Sequence, residues 1–305
     1  MGHERIVGCG MSGLVGRPLS RLLHLKYELV RLKRTFASKT GPADCAREVF
    51  WDPEDPKGEW VKEIDGAFAA INLCGESIAD RRWTASQKAK LRASRIVTTR
   101  AVVDAISRAA VRPKVLLNAS AIGYYGDRGN DAVDENSSGG HGFLADLCEE
   151  WEKEALRAES FGVRVVLLRT GIVLARGGGA LAKMLPPFRF FIGGPLGAGR
   201  QVMSWIHLED EVRAIEFALE KPALKGPVNL TAPNPASMNE FAAALGKRLH
   251  KPSFFRVPGF ALKILLGEMS EMLLGGQRVL PKKLEDAGFH FRFPRLDDAL
   301  KDLVR

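Results

Sequence analysis

Short apolar runs of strand length alternate with longer segments of helical period through the first half of the chain. Strand-like runs fall at 5–8, 28–33, 49–51, 67–74, 114–120 and 163–170, and helical patterns at 13–24, 84–110 and 143–161. This alternation predicts an α/β fold with a doubly wound parallel sheet, because a parallel strand reaches its neighbour only through a crossover and right-handed crossovers put helices on both faces. Ligands of such sheets sit beyond the carboxyl ends of the strands. After Thr170 the texture changes: glycine-rich runs at 176–179 and 193–199 and the pair Pro186-Pro187 predict loops. Residues 1–172 are read as the main domain and 173–305 as a smaller C-terminal lobe over the crevice, with 228–230 returning to the sheet. A helix is predicted from Ser237, since Ser-Met-Asn-Glu240 spells a capping box.

The first turn, Arg5-Ile-Val-Gly-Cys-Gly-Met-Ser-Gly-Leu-Val-Gly16, joins a strand to a helix and spaces Gly10, Gly13 and Gly16 as G-x-x-G-x-x-G. In a dinucleotide cradle the first glycine permits the turn, the second admits a pyrophosphate and the third lets the helix pack on the strand. Met11, Ser12, Leu14 and Val15 complete the loop, at a helix N-terminus whose free N–H groups face the phosphates. The chain holds 31 glycines, so the spacing needs support from context. The second strand supplies it by ending in Lys33-Arg34. An acidic residue there would hold a ribose 2′-hydroxyl, whereas cations accommodate a 2′-phosphate, so the expected cofactor is NADP(H).

At 305 residues and 46% hydrophobic content the chain can bury a large core. Its longest apolar run, 163–175, is interrupted by Arg164 and Arg169 and is too short to span a bilayer, and no signal segment opens the sequence. A cytoplasmic location without membrane association is expected. Cys9, Cys45, Cys74 and Cys148 are scattered without C-x-x-C spacing, which fits reduced thiols and no metal site. The net charge of +9 and the basic stretch 81–100 raise the question of nucleic acid. Thirty-six acidic residues and the lack of an aromatic-interleaved basic ladder argue against it, and a basic cofactor cleft accounts for the charge.

Together with the glycine turn and Lys33-Arg34, the motifs Asn72-Leu-Cys-Gly-Glu76, Arg81-Arg-Trp-Thr84, Ser120-Ala-Ile-Gly-Tyr-Tyr-Gly126, Trp151-Glu152, Leu168-Arg-Thr-Gly-Ile-Val-Leu174 and Ser204-Trp-Ile-His207 resemble the extended short-chain dehydrogenase/reductases. The match is nearest to their atypical epimerase-family, or sugar-epimerase-like, subgroup, also called cell-division inhibitors. The resemblance implies a Rossmann-type domain with Leu73, Cys74 and Gly75 on the adenosine side. It also puts Arg95 where relatives carry an Asn near the cofactor, and Val173 beside the nicotinamide.

The superfamily's chemistry needs a Tyr, a Lys four residues on and a Ser or Thr. Here Tyr27, Tyr124 and Tyr125 are followed at four positions by Arg31, Arg128 and Gly129, so no Y-x-x-x-K exists. The resemblance puts Leu144 at the Tyr, Cys148 at the Lys and Ala121 at the hydroxyl, with Ser120 one residue early. Tyr124, Tyr125 and Ser120 are therefore the candidate catalytic side chains, with Glu76 and His207 also polar and near the strand ends. Without a neighbouring lysine, either phenol is expected to keep a pKa of about 10. His207 with Asp210 reads as a helix-capping pair. Two functions stay open: an NADP(H)-dependent oxidoreductase or epimerase-like enzyme on an unassigned small substrate, and a catalytically silent NADP(H)-binding sensor or scaffold. The motifs specify neither substrate nor oligomeric state.

Overall fold

The computed structural model describes residues 4–34 and 47–304, so Cys45 lies outside the described residues. Seven parallel strands form one sheet: β1 (Arg5–Cys9), β2 (Glu28–Lys33), β3 (Arg47–Phe50), β4 (Ala69–Asn72), β5 (Val115–Ala121), β6 (Arg164–Thr170) and β7 (Gly226–Leu230). Their spatial order is β7-β6-β5-β4-β1-β2-β3, the doubly wound Rossmann-type arrangement expected. The winding reverses between β1 and β4, which opens a crevice at their carboxyl ends.

Period-two alternation sorts the strand side chains onto two faces. Ile6, Leu29, Ile71, Leu117 and Leu168 meet α1 (Gly16–Leu23) and α5 (Leu208–Glu220) on one. Val7, Val30, Ala70, Leu116 and Leu167 face α2 (Ala85–Arg108) and α3 (Phe143–Leu156) on the other. The lobe carries α4 (Gly179–Arg189) and α6 (Met238–Leu249) and has its own core, which includes Leu181, Trp205, Phe241 and Leu300.

Several boundaries differ from expectation. The first helix starts at Gly16, not 13, because Gly13 N–H still closes the turn on the Gly10 carbonyl at 3.2 Å. The helix from 143 ends at Leu156 and tightens into a 3-10 turn, Arg157–Phe161. The returning strand is longer than 228–230 and pairs Leu230 with Thr170, so residues 208–230 pack with the sheet although they lie beyond 172. The capping box forms as expected, with both Ser237 and Glu240 closing it. No described helix is long and apolar enough to cross a membrane.

One buried acid has no cation among the described residues. Glu211 on α5 accepts from Thr170 Oγ at 2.8 Å, while its second oxygen has no hydrogen-bond partner among the described residues. Burial pushes this carboxyl up to about 8. The unfolded chain releases the proton near its ordinary value of 4.5, so the stability contributed below that pH is lost as pH rises towards 8. Glu211→Gln should therefore melt close to the parent at pH 5 and above it at pH 8.5, by on the order of 3–5 kcal/mol in denaturant titrations.

Candidate active site

The cradle is built by strand β1 running into the glycine turn. Gly10 has φ +75°, and a Cβ there would lie 2.5 Å from the Leu73 carbonyl carbon, so both conformation and packing demand glycine. Gly16 is required by close approach, its Cβ position lying 2.4 Å from the Gly10 oxygen. Gly13 is different. A Cβ there would meet only the Gly10 oxygen at 3.4 Å, an ordinary contact, and its φ is not positive. The protein itself does not need a glycine at 13, whereas a pyrophosphate laid on the turn does; these residues fit the dinucleotide. Met11 turns its side chain under the loop toward Gly8 and is buried, leaving only backbone to the crevice. Ser12 and Gly13 are exposed, and Leu14 reaches across to Gly178 and Gly179 of the lobe, next to the Val173 carbonyl.

At the end of β2, Glu48 of β3 pairs with both Arg31 at 2.8 Å and Lys33 at 2.6 Å. Lys33 is thereby committed to a carboxylate, while Arg34 at the strand end is exposed. On the far side of β1, Leu73, Cys74 and Gly75 follow β4, and the Arg95 guanidinium lies 3.3 Å from the Cβ position of Gly75. Arg95 donates to the Glu76 and Leu91 carbonyls, both at 3.0 Å, and stacks 5.1 Å from the Trp151 ring. It braces the 75–76 loop, and burial lowers its pKa. Glu76 itself is exposed and held by Gln87 Nε2 at 2.8 Å.

Beneath the crevice the α2/α3 face of the sheet turns polar in two rows. Register sets Cys9, Asn72 and Asn118 side by side, and one pleat further on Ser120, Arg169 and Asn229. In the first row Asn72 Nδ2 donates to Asn118 Oδ1 at 2.8 Å and to Thr99 Oγ1 at 2.9 Å, and Trp151 Nε1 closes on Thr99 at 2.8 Å. In the second row Arg169 grips Glu152 of α3 with two hydrogen bonds, Nε to Oε1 at 2.8 Å and Nη2 to Oε2 at 2.7 Å. Ser120 Oγ donates to the same carboxylate at 2.6 Å, and Arg169 Nη1 donates to the Tyr125 oxygen at 2.9 Å. Tyr125 in turn donates to Asn229 Oδ1 at 2.8 Å. Burial opposes the charge on Arg169, and Glu152 outweighs it.

This network takes up two of the three candidate catalytic side chains. Tyr125 is fully buried with its hydroxyl used as both donor and acceptor, and burial pushes it up to about 12 rather than 10. Ser120 is buried and donates its hydroxyl proton to Glu152. Tyr124 is half-buried, its ring lying 3.5 Å from the Arg169 guanidinium carbon. Leu144 and Cys148 of α3 both lie against Gly123 of the 122–125 turn. Burial, reinforced by the Glu152 charge, pushes the Cys148 thiol up to about 12, so it stays neutral. His207 caps α5, its Nδ1 accepting from Glu209 N–H at 3.0 Å, and stacks on Phe293. Asp210 accepts from the Arg292 and Phe293 N–H groups. His207 thus caps the helix as expected, whereas Asp210 holds the 292–293 backbone instead of the helix start.

Residues 7–230 match the NAD dependent epimerase/dehydratase family, and 257–303 match a domain of unknown function, DUF1731. The chain belongs to the NAD dependent epimerase/dehydratase family. It is 45% identical over 297 residues to an epimerase family protein of Mycobacterium leprae, covering 95% of this chain and 92% of that one. It is 42% identical over 298 residues to the chloroplastic epimerase family protein SDR39U1 homolog of Arabidopsis thaliana, covering 97% and 85%. The crystal structure of human epimerase family protein SDR39U1 (isoform 2) with NADPH superposes with a TM-score of 0.88 at 33% identity, over 98% of each chain. Within this epimerase-family chain, Glu152, Arg169 and Asn229 were absent from the expected site, although Arg169 interrupts an otherwise apolar strand.

Arg169→Met strands the buried Glu152 carboxylate, so it should destabilise the protein by about 3–5 kcal/mol in urea titrations. Adding Glu152→Met should recover part of that loss, since two apolar groups leave no buried charge.

Proposed function

We propose that this epimerase-family protein is an NADP(H)-dependent oxidoreductase or epimerase-like enzyme on a small carbonyl substrate, with Tyr124 as its proton donor. The observation that carries the cofactor reading is the open space above Gly13 on a turn whose other two glycines are structurally obligatory. The human relative with NADPH supports it, as does the exposed Arg34 at the end of β2. The turn binds the pyrophosphate through backbone N–H groups, Arg34 meets the 2′-phosphate, and Leu14 with Val173 closes over the crevice from the lobe side.

Bound NADPH supplies a hydride. Tyr124 holds the proton for the substrate oxygen and regains one from water afterwards. Arg169, locked by Glu152, fixes the plane of the Tyr124 ring. The cofactor's cytoplasmic pool and a soluble setting remain part of this reading.

A second reading is favoured by one specific observation. Ser120 and Tyr125 are hydrogen-bonded internally, and the resemblance puts Leu144 and Cys148, whose thiol burial keeps neutral, at the positions of the usual tyrosine and lysine. A silent NADP(H)-binding sensor would look the same.

Calorimetric titration should give an NADP(H) over NAD(H) preference of about ten- to hundredfold, reduced sharply in Arg34→Ala. Gly13→Val should keep the circular dichroism spectrum of the parent and lose NADPH binding. With a panel of carbonyl substrates, NADPH absorbance should fall, and Tyr124→Phe should slow turnover about a hundredfold while Cys148→Ala retains it. Binding of NADPH with no turnover on any substrate would establish the sensor instead.

A further inference from the structure

The lobe presents large apolar side chains to solvent in three successive pieces. Phe190, Phe191 and Ile192 follow α4, with Phe190 75% exposed, and Phe254 and Phe255 stand beside them. The two pieces are stitched together: Phe255 N–H donates to the Gly193 carbonyl at 3.1 Å, and Leu196 bridges to Val257. Two residues later the helix Gly259–Leu266 begins, with Leu262 its one buried residue and Phe260, Ile264 and Leu265 turned outward. Eight of the exposed large apolar side chains among the described residues fall in these three pieces, and apolar surface gathered in this way marks interaction sites.

The charge around this face is one-sided. Residues 160–208 and 241–267 contain no Asp or Glu at all. The face is set among Arg189, Lys251, Arg256 and Lys263, and Lys251 Nζ lies 3.6 Å from the Phe191 ring centroid. Asp80 of the sheet domain is paired with Lys183 of α4, and Glu268, which follows the helix, is paired with Lys88 of the sheet domain. The acidic residues of the chain are thus not interspersed here, as the bulk composition suggested.

We infer that this face docks on an anionic lipid surface, Phe and Ile side chains entering the headgroup boundary while Lys and Arg meet the lipid charges. The chemistry combines both components such contact needs, exposed apolar side chains and cations on stretches of chain without Asp or Glu. A second copy of the chain fits less well, because a two-fold contact would press like charges together. A nucleic acid would use the cations and stack on Phe, but leaves Ile192, Ile264 and Leu265 without a role. This contact requires no membrane-spanning segment, and it does not depend on the catalytic reading.

The test is vesicle sedimentation with the full chain, comparing pure phosphatidylcholine with phosphatidylcholine containing phosphatidylglycerol. Binding to the anionic vesicles, weakened by salt and reduced at least about tenfold in Phe254→Ser/Ile264→Ser and in Lys251→Glu/Lys263→Glu, is the expected result. Unchanged melting and NADPH affinity would certify that both variants are folded. No binding to anionic vesicles, or binding equal in parent and variants, would overturn the inference. Light scattering of the parent as a dimer that the Phe254→Ser/Ile264→Ser variant dissolves would assign the face to a second copy, and salt-sensitive retention on single-stranded DNA with no vesicle binding would assign it to nucleic acid.

Discussion

A guanidinium and a carboxylate, both closed off from water, meet where β5 and β6 end, and the surrounding geometry is arranged to tolerate them. Burying Arg169 and Glu152 is costly, and the cost is offset only if the remaining donors and acceptors find partners. Each does: Ser120 completes the carboxylate, Tyr125 takes the third guanidinium nitrogen, and Asn229 takes the tyrosine. These contacts tie three neighbouring strands to α3 and fix the direction in which the 122–125 turn leaves the sheet. The pair therefore acts less as a source of net stability than as a constraint on register and on the aromatic ring stacked above it.

The same arrangement separates the two halves of the crevice. On the dinucleotide side the crevice is lined mainly by backbone, with two obligatory glycines and a helix terminus, and Arg34 stands exposed at the strand end. On the opposite side, groups that could handle protons have been drawn into the interior, and apolar or neutral side chains stand at the turn of α3. A site of this kind can hold a cofactor tightly while offering a substrate very few polar contacts.

Most of the sheet was legible because a strand buried on both faces writes a continuous apolar run, and a crossover helix writes a different period. The turn at 10–16 was legible because glycine spacing reports backbone geometry directly. The buried network was not, since Arg169 and Ser120 are two residues of ordinary type whose meaning depends on strands adjacent in space and on Glu152 from another element. Only register brings them together. Lys33 illustrates the same limit: its position on the strand was readable, its partner Glu48 on β3 was not. The exposed lobe face escaped because an apolar run in sequence looks alike whether it is covered or bare.

The outermost strand carries a consequence for how the protein is made. β7 reaches its place beside β6 only after the chain has built α4 and α5, so during synthesis the outer edge of β6 waits unpaired while more than fifty further residues emerge. Val165-Val-Leu-Leu168 is an uncharged apolar run whose edge is bare in that interval, the feature that invites pairing with another strand. Arg164 and Arg169 flank it on either side, and a charge at each end is the simplest gatekeeper against pairing with another nascent chain. In the finished molecule Arg164 donates to the carbonyls of Ala218, Leu219 and Leu224, just before the strand that closes the edge. The residue that guards the open edge also ties down the segment that leads the last strand onto it.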